Sequence, residues 1–323
     1  MASATRDQVQ RAAMLASVSG RSFEDIKFWA FSRRSHTGVV DEPLPLLANS
    51  GLLHKVTDHF KFVLSTGFAE GDVVEMEAPF PSTRSSRSDM YDYGADSDLE
   101  DEDEFEGEPS DVKLGPSVSG RGNVKVGSAG AMLSTQMLIT KPGRVVHVED
   151  VAYHTLKAFI FWAYYEELNF APLKSQQKML PTEQNAYNAP FCSPKSMYRL
   201  AHRYNVDVLK KKALDDIKSK LSPHNILEEV FSHFTSLYDD IRDMELEYLH
   251  ANIKDSGIQA RLPAWIRSMQ GNELPESACD ILSSLVLKII NGPLPQPSDP
   301  KLKKCPNGCS AANYTCRNCG TYF

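Results

Sequence analysis

Four cysteines crowd the C-terminal end of this 323-residue chain: Cys305, Cys309, Cys316 and Cys319 fall within fifteen residues. A Cys-x2-Cys step such as Cys316 to Cys319 turns tightly enough to aim two thiolates at one tetrahedral Zn2+. Cys305 to Cys309 is a looser step with Gly308 inside it. Gly320 follows the second pair and supplies the permissive backbone that metal knuckles use. Six residues separate the pairs, room for a hairpin. The spacing predicts one structural Zn2+ held by all four sulfurs, a closed coordination sphere with no catalytic position. The alternative is a tail with reactive thiols. A tail of about twenty residues has little core of its own, so metal binding would supply its folding free energy, on the order of 10 kcal/mol or more.

Other chemistry is sparse. His54, His59, His147, His154, His202 and His224 are scattered without companion ligands and read as surface or satisfied core groups. There is no GxSxG, no HExxH and no GxxxxGK[ST] loop, and Gly120-Arg121-Gly122 lacks a preceding strand. No nucleophile–base pair or open metal site emerges, which argues against an enzyme. Nine acidic residues and no basic ones lie between Asp96 and Glu108. Setting them aside leaves 33 acidic residues against 35 Lys and Arg, so the net charge of −7 is one local tract. That tract reads as a solvated spacer, with docking to a basic partner as the alternative. Within it Ser97, followed by Asp98 and Glu100, resembles a site for an acidophilic kinase. The remaining balance is not that of a protein that grips phosphates, which argues against nucleic acid.

The elements that must carry these residues follow from periodicity. Residues 1–20 are polar and predicted disordered, with room for a short helix. Phe23, Ile26, Phe28 and Phe31 mark a strand over 23–32, and 44–47 a short edge strand despite Pro43 and Pro45. Leu52, Leu53, Val56, Phe60, Val63 and Leu64 recur at helical steps over 50–65. Residues 72–142 lack the apolar content to offset ordering entropy and are predicted disordered. A strand at 145–148 and an apolar helix at 153–165 follow. A polar insert at 174–192 precedes a helix capped by Ser193 or Ser196, and further helical patterns run from 206 to 290. Residues 292–303 are a Pro-rich linker to the tail at 304–323.

Five stretches, read with the inserts removed, resemble a fungal-type BTB/POZ domain: 23–35, 44–53, 59–71, 145–173 and 192–234, the last being FCSPKSMYRLAHRYNVDVLKKKALDDIKSKLSPHNILEEVFSHF from its second residue on. The resemblance implies an α+β fold over 21–221, a small sheet flanked by helical hairpins, with a helical extension at 222–291. It implies a homodimer that exchanges or pairs its first strand (Phe23, Ile26, Phe28, Phe31). It also implies a substrate adaptor for cullin-RING ubiquitin ligases. Cullin-binding members carry a hydrophobe-x-Glu motif after the first helical hairpin, and Phe68-Ala69-Glu70 stands there. The long insert after Glu70, and no evident substrate-binding domain such as a β-propeller, are departures; the substrate protein stays open. A BTB/zinc transcription or chromatin regulator is the competing expectation, since Lys301, Lys303, Lys304 and Arg317 make the tail basic. The chain has no run of 18 apolar residues and no signal-peptide core. Its Cys distribution suits a reducing, intracellular compartment, cytoplasmic or nuclear.

Overall fold

The computed structural model describes residues 4–64, 73–101, 141–176, 187–268 and 278–291, with backbone only for Ser268 and Asn291. The chain is mixed α+β and divides into two compact units, Met1–Ile217 and Lys218–Phe323. Among the described residues no helix is long and apolar enough to cross a membrane.

The first unit is organised by β1 (Ile26–Arg34). It pairs antiparallel with β2 (Val40–Ala48) on one side and parallel with β6 (Pro142–Val148) on the other. Short strands extend the curled sheet: β3 (Val74–Glu75) on β6, β4 (Arg87–Ser88) on β2, and β5 (Glu100–Asp101) at the far end of β1. Ile26, Phe28 and Ala30 point to one face and are fully buried. Lys27, Trp29 and Phe31 point to the other and are buried as well. A strand covered on both faces reads as a continuous apolar run, as Phe28-Trp29-Ala30-Phe31 does.

One face is covered by helices: α2 (Ser50–Val56), α3 (Asp58–Val63) and α4 (Tyr153–Tyr165). Phe60 of α3 touches Phe28 and Phe159, with ring centroids 5.5 and 6.0 Å apart. The other face is covered by residues 73–101, which the sequence reading assigned to a disordered insert. Lys27 Nζ donates to the carbonyls of Met76 and Ala78, both at 2.8 Å, and Trp29 meets Phe80 edge-on at 5.3 Å. The segment's own apolar content is low, but the outer face of β1 needs a cover and residues 73–101 supply it. Residues 102–140 lie outside the described residues.

One other expectation is corrected. Residues 6–18 form a docked helix, α1 (Arg6–Val18), with a Thr5/Gln8 capping box; Arg6 pairs with Glu166 and lies over Trp162, 5.8 Å from its centroid. The helical spacing over 50–65 is broken into two helices. Thr57 is extended at the break, where its Oγ1 accepts from His59 N and donates to Tyr204 O at 2.7 Å. Ser193 caps α5 (Pro194–Arg203) with Pro194 in the first turn, as its sequence suggests, and α6 (Asp207–Lys220) follows. Of the polar insert, Phe191–Cys192 (β8) pairs with Asn169–Phe170 (β7), and 177–186 lie outside the described residues.

The second unit packs α7 (Ile226–Val230), α8 (His233–Leu237) and α11 (Ala278–Asn291) against α9 (Asp239–Ala251), while α10 (Ser256–Ser268) rests on α7. Its core is Ile226, Leu227, Val230, Phe234, Ile241, Leu249, Ile258 and Ile281.

Gly143 marks where the cover meets the sheet. A Cβ there would overlap Met76 Sδ and lie 2.8 Å from the carbonyl oxygen of Asp25, which already accepts from Arg144 N. The backbone oxygen cannot swing aside, so Gly143→Ala is expected to cost about 1–3 kcal/mol. Thermal unfolding should show a midpoint several degrees lower, and an unchanged midpoint would refute the close approach.

Candidate partner-binding site

Two places in the first unit gather polar side chains from several elements. One is a groove of about 570 Å³ beside α3. The extended Thr57 lets α2 and α3 splay, and the turn from α5 to α6 closes the opposite wall. Asn205 makes that turn at φ 55°, a left-handed conformation that Asn tolerates. Lys55, Lys61 and Arg203 line the groove against Asp58, so its charge is positive on balance. Lys61 pairs with Asp58, and Arg203 with Asp150 at 2.5 Å.

His59 stacks on Tyr204 with centroids 4.2 Å apart. Burial, then the nearby Arg203, push its pKa down. Burial and Lys61 do the same for His54, although Asp25 and a backbone bond oppose the shift. Both imidazoles are therefore neutral at pH 7 and act as flat, weakly polar walls. Thr57 Oγ1 is committed to the Tyr204 carbonyl. Phe62 stands at the mouth, 66% exposed. An exposed ring beside cationic side chains, over a stacked His59–Tyr204 pair, suits recognition of a protein surface.

The second place is where the acidic segment meets α4 and α5. Asp98 accepts from Thr155 Oγ1 at 2.6 Å and from Ser193 N at 2.7 Å. Asp96 accepts from Ser196 Oγ, Tyr91 Oη and the amide of Asp98, the last at 2.9 Å. Both carboxylates thus sit at the N-terminus of α5, where the helix dipole favours negative charge. Arg199 pairs with Asp92, donates to Asp150 O at 2.6 Å, and lies over the rings of Tyr91 and Tyr93. Arg34 pairs with Asp101 at 2.8 Å and donates to the carbonyls of Gly94 and Asp96. Burial, reinforced by Asp96, pushes Asp98 up to about 7, and burial raises Asp96 as well. Leu99 completes the contact with Phe31, Val40 and Ala152, and Tyr91 packs against them. The segment is latched rather than solvated.

Phe68 and Glu70 follow α3 in sequence and lie outside the described residues, as do Cys305, Cys309, Cys316 and Cys319. Among the described residues no group of three His, Cys, Asp or Glu could hold a metal ion. The first-strand residues are described, in the chain's own sheet. Ile26, Phe28 and Phe31 are in the chain's own core and Phe23 is half-buried, its ring edge-on to Tyr164 at 6.0 Å. β1 is hydrogen-bonded on both edges, so it offers no edge to a second chain. The latch residues Tyr91, Asp96, Asp98, Thr155 and Ser196 were not singled out as a site by sequence reasoning. Their signal was faint: two tyrosines and a leucine, Tyr91, Tyr93 and Leu99, set among acids. No protein-family model matches the chain, and no curated protein matches it.

Proposed function

We propose that the chain is a protein-interaction scaffold built on a BTB/POZ domain that self-associates and serves as a substrate adaptor for a cullin-RING ubiquitin ligase. The observation that carries this reading is the connectivity of the first unit. With the short strands β3, β4, β5, β7 and β8 set aside, a β-hairpin, a broken helix pair, a return strand parallel to β1, a helix and a second helix pair come in that order, with β1 between β2 and β6. That order supports the family resemblance of the sequence. The groove beside α3 supports the adaptor role, because Phe68 and Glu70 follow α3 within a few residues in the sequence. In this reading Phe68 is the apolar anchor, Glu70 makes a charge-assisted bond, and the tail cysteines hold a structural Zn2+. Self-association uses surface rather than β1: Met14, Leu15 and Val18 of α1 are exposed apolar side chains in the same unit.

The test is titration of the full chain with the N-terminal domain of a cullin. Loss of a central anchor costs about 2 kcal/mol, roughly thirtyfold in affinity. Phe68→Ala and Glu70→Lys should each weaken binding to that extent, with light scattering reporting a dimer in all three proteins. Absence of wild-type binding at high micromolar concentration would remove the adaptor role and leave the scaffold.

A further inference from the structure

Ser97 stands between the two latch carboxylates, and its surroundings differ from theirs. Asp96 and Asp98 are buried and saturated with donors, whereas Ser97 is half-buried and its hydroxyl makes no hydrogen bond among the described residues. The fold therefore does not use this hydroxyl. Acidic side chains follow it at the first, third and fourth positions, Asp98, Glu100 and Asp101. That spacing is what a kinase with a basic substrate groove reads. From the geometry of the latch we propose that Ser97 is a phosphorylation site, and that its phosphate releases residues 85–101 from α4, α5 and the end of β1.

The step is an ordinary phosphoryl transfer. The γ-phosphorus of a nucleoside triphosphate bonds to Ser97 Oγ as its bond to the β-phosphate oxygen breaks. The nucleoside diphosphate leaves, and the hydroxyl proton passes to the kinase's base. The enzyme acts on the transiently unlatched segment, and the product cannot close again. The phosphate brings nearly two negative charges between carboxylates that are already short of charge compensation. The cations at the latch are engaged: Arg34 with Asp101 and two backbone carbonyls, Arg199 with Asp92 and Asp150 O, and Lys174 with Asp101 at 4.0 Å. Like-charge repulsion and desolvation therefore both oppose docking. Undocking withdraws Leu99 and Tyr91 from Phe31, Val40 and Ala152 and uncovers that apolar cluster at the end of β1. A solvated acidic spacer would respond to the same phosphate with no structural change.

The experiment treats the full chain with an acidophilic serine/threonine kinase and magnesium ATP. A synthetic peptide covering residues 91–101 serves as substrate control. Mass spectrometry should place a phosphate on Ser97 of the full chain. Hydrogen exchange should then show the amides of Ser193 and Asp98 losing protection by about tenfold or more. The amide of Phe159, in the middle of α4, reports whether the unit stays folded and should not change. Ser97→Ala, treated identically, should keep the wild-type protection. Failure to phosphorylate either the peptide or the full chain at Ser97 would overturn the proposal. So would phosphate on Ser97 with unchanged protection at Ser193 and Asp98, or loss of protection that also occurs in treated Ser97→Ala.

Discussion

Asp98→Ala should lower the stability of the latch by about 3 kcal/mol, because it strands the Thr155 hydroxyl and the Ser193 amide in a dry site. Limited proteolysis should then cut between residues 85 and 101, where the wild-type chain resists. A cleavage pattern identical to wild type would contradict the hydrogen-bonding described here. The same carboxylate sets a pH dependence with a definite sign. Its folded pKa, about 7, lies above the ordinary aspartate value near 3.9. The latched state therefore binds more protons than the unlatched one through that interval. Its stability is greatest below it and falls as pH rises toward 7, by up to about 4 kcal/mol. Of the groups facing Asp98, Asp96 from its own segment reinforces the rise, while the hydrogen bonds from Thr155 of α4 and the Ser193 amide of α5 and the charge of Lys174 pull the pKa down; burial outweighs them. Exchange protection at Ser193, corrected for intrinsic rate, should be higher at pH 5 than at pH 8. Asp98→Asn, which cannot ionise, should flatten that difference while keeping the segment docked.

Phe60→Ala should cost about 3–5 kcal/mol, the range for a buried aromatic truncated in a packed core. Phe60 is 1% exposed and touches Phe28, Phe159 and Tyr204, with His59 edge-on beside it. No neighbour can collapse into the gap without dragging β1, α4 or the α5–α6 turn, so the cavity persists. Because His59 and Tyr204 form the groove wall, the substitution should also blur that wall. Equilibrium denaturation should show the midpoint shift, and the stacking of His59 on Tyr204 should become mobile by NMR. A loss under 1 kcal/mol would mean that the aromatic cluster is not the packed floor described here.

The local elements of the first unit were legible because each carries its own period or cap. Phe28 to Phe31 announces a strand, Leu156, Phe159 and Trp162 a buried helix, and Ser193-Pro194 a helix start. What escaped was decided by partners distant in sequence. Nothing near Thr57 says that its hydroxyl will reach the carbonyl of Tyr204 and split a helical pattern in two. Nothing in the acidic run says that Thr155, Ser193 and Ser196 will supply donors for two of its carboxylates. A charge block is soluble by default, and only a site built elsewhere in the chain makes its burial tolerable. The apolar outer face of β1 was the one warning available. Trp29 and Phe31 needed a cover, and the adjoining insert was the nearest chain that could supply it.

The parallel pairing of β1 with β6 has a consequence for synthesis. Ile26 finds Arg144 only after roughly a hundred further residues have been made. At about 5–20 residues per second the ribosome needs on the order of ten seconds to deliver them. Through that interval the β1–β2 hairpin has neither its return strand nor α4: α2, α3 and residues 73–101 have already emerged, but one edge of β1 stays unpaired and the part of its face that α4 covers stays open. A nascent chain of this design is exposed to capture by chaperones, or by another nascent copy on the same message, until β6 emerges.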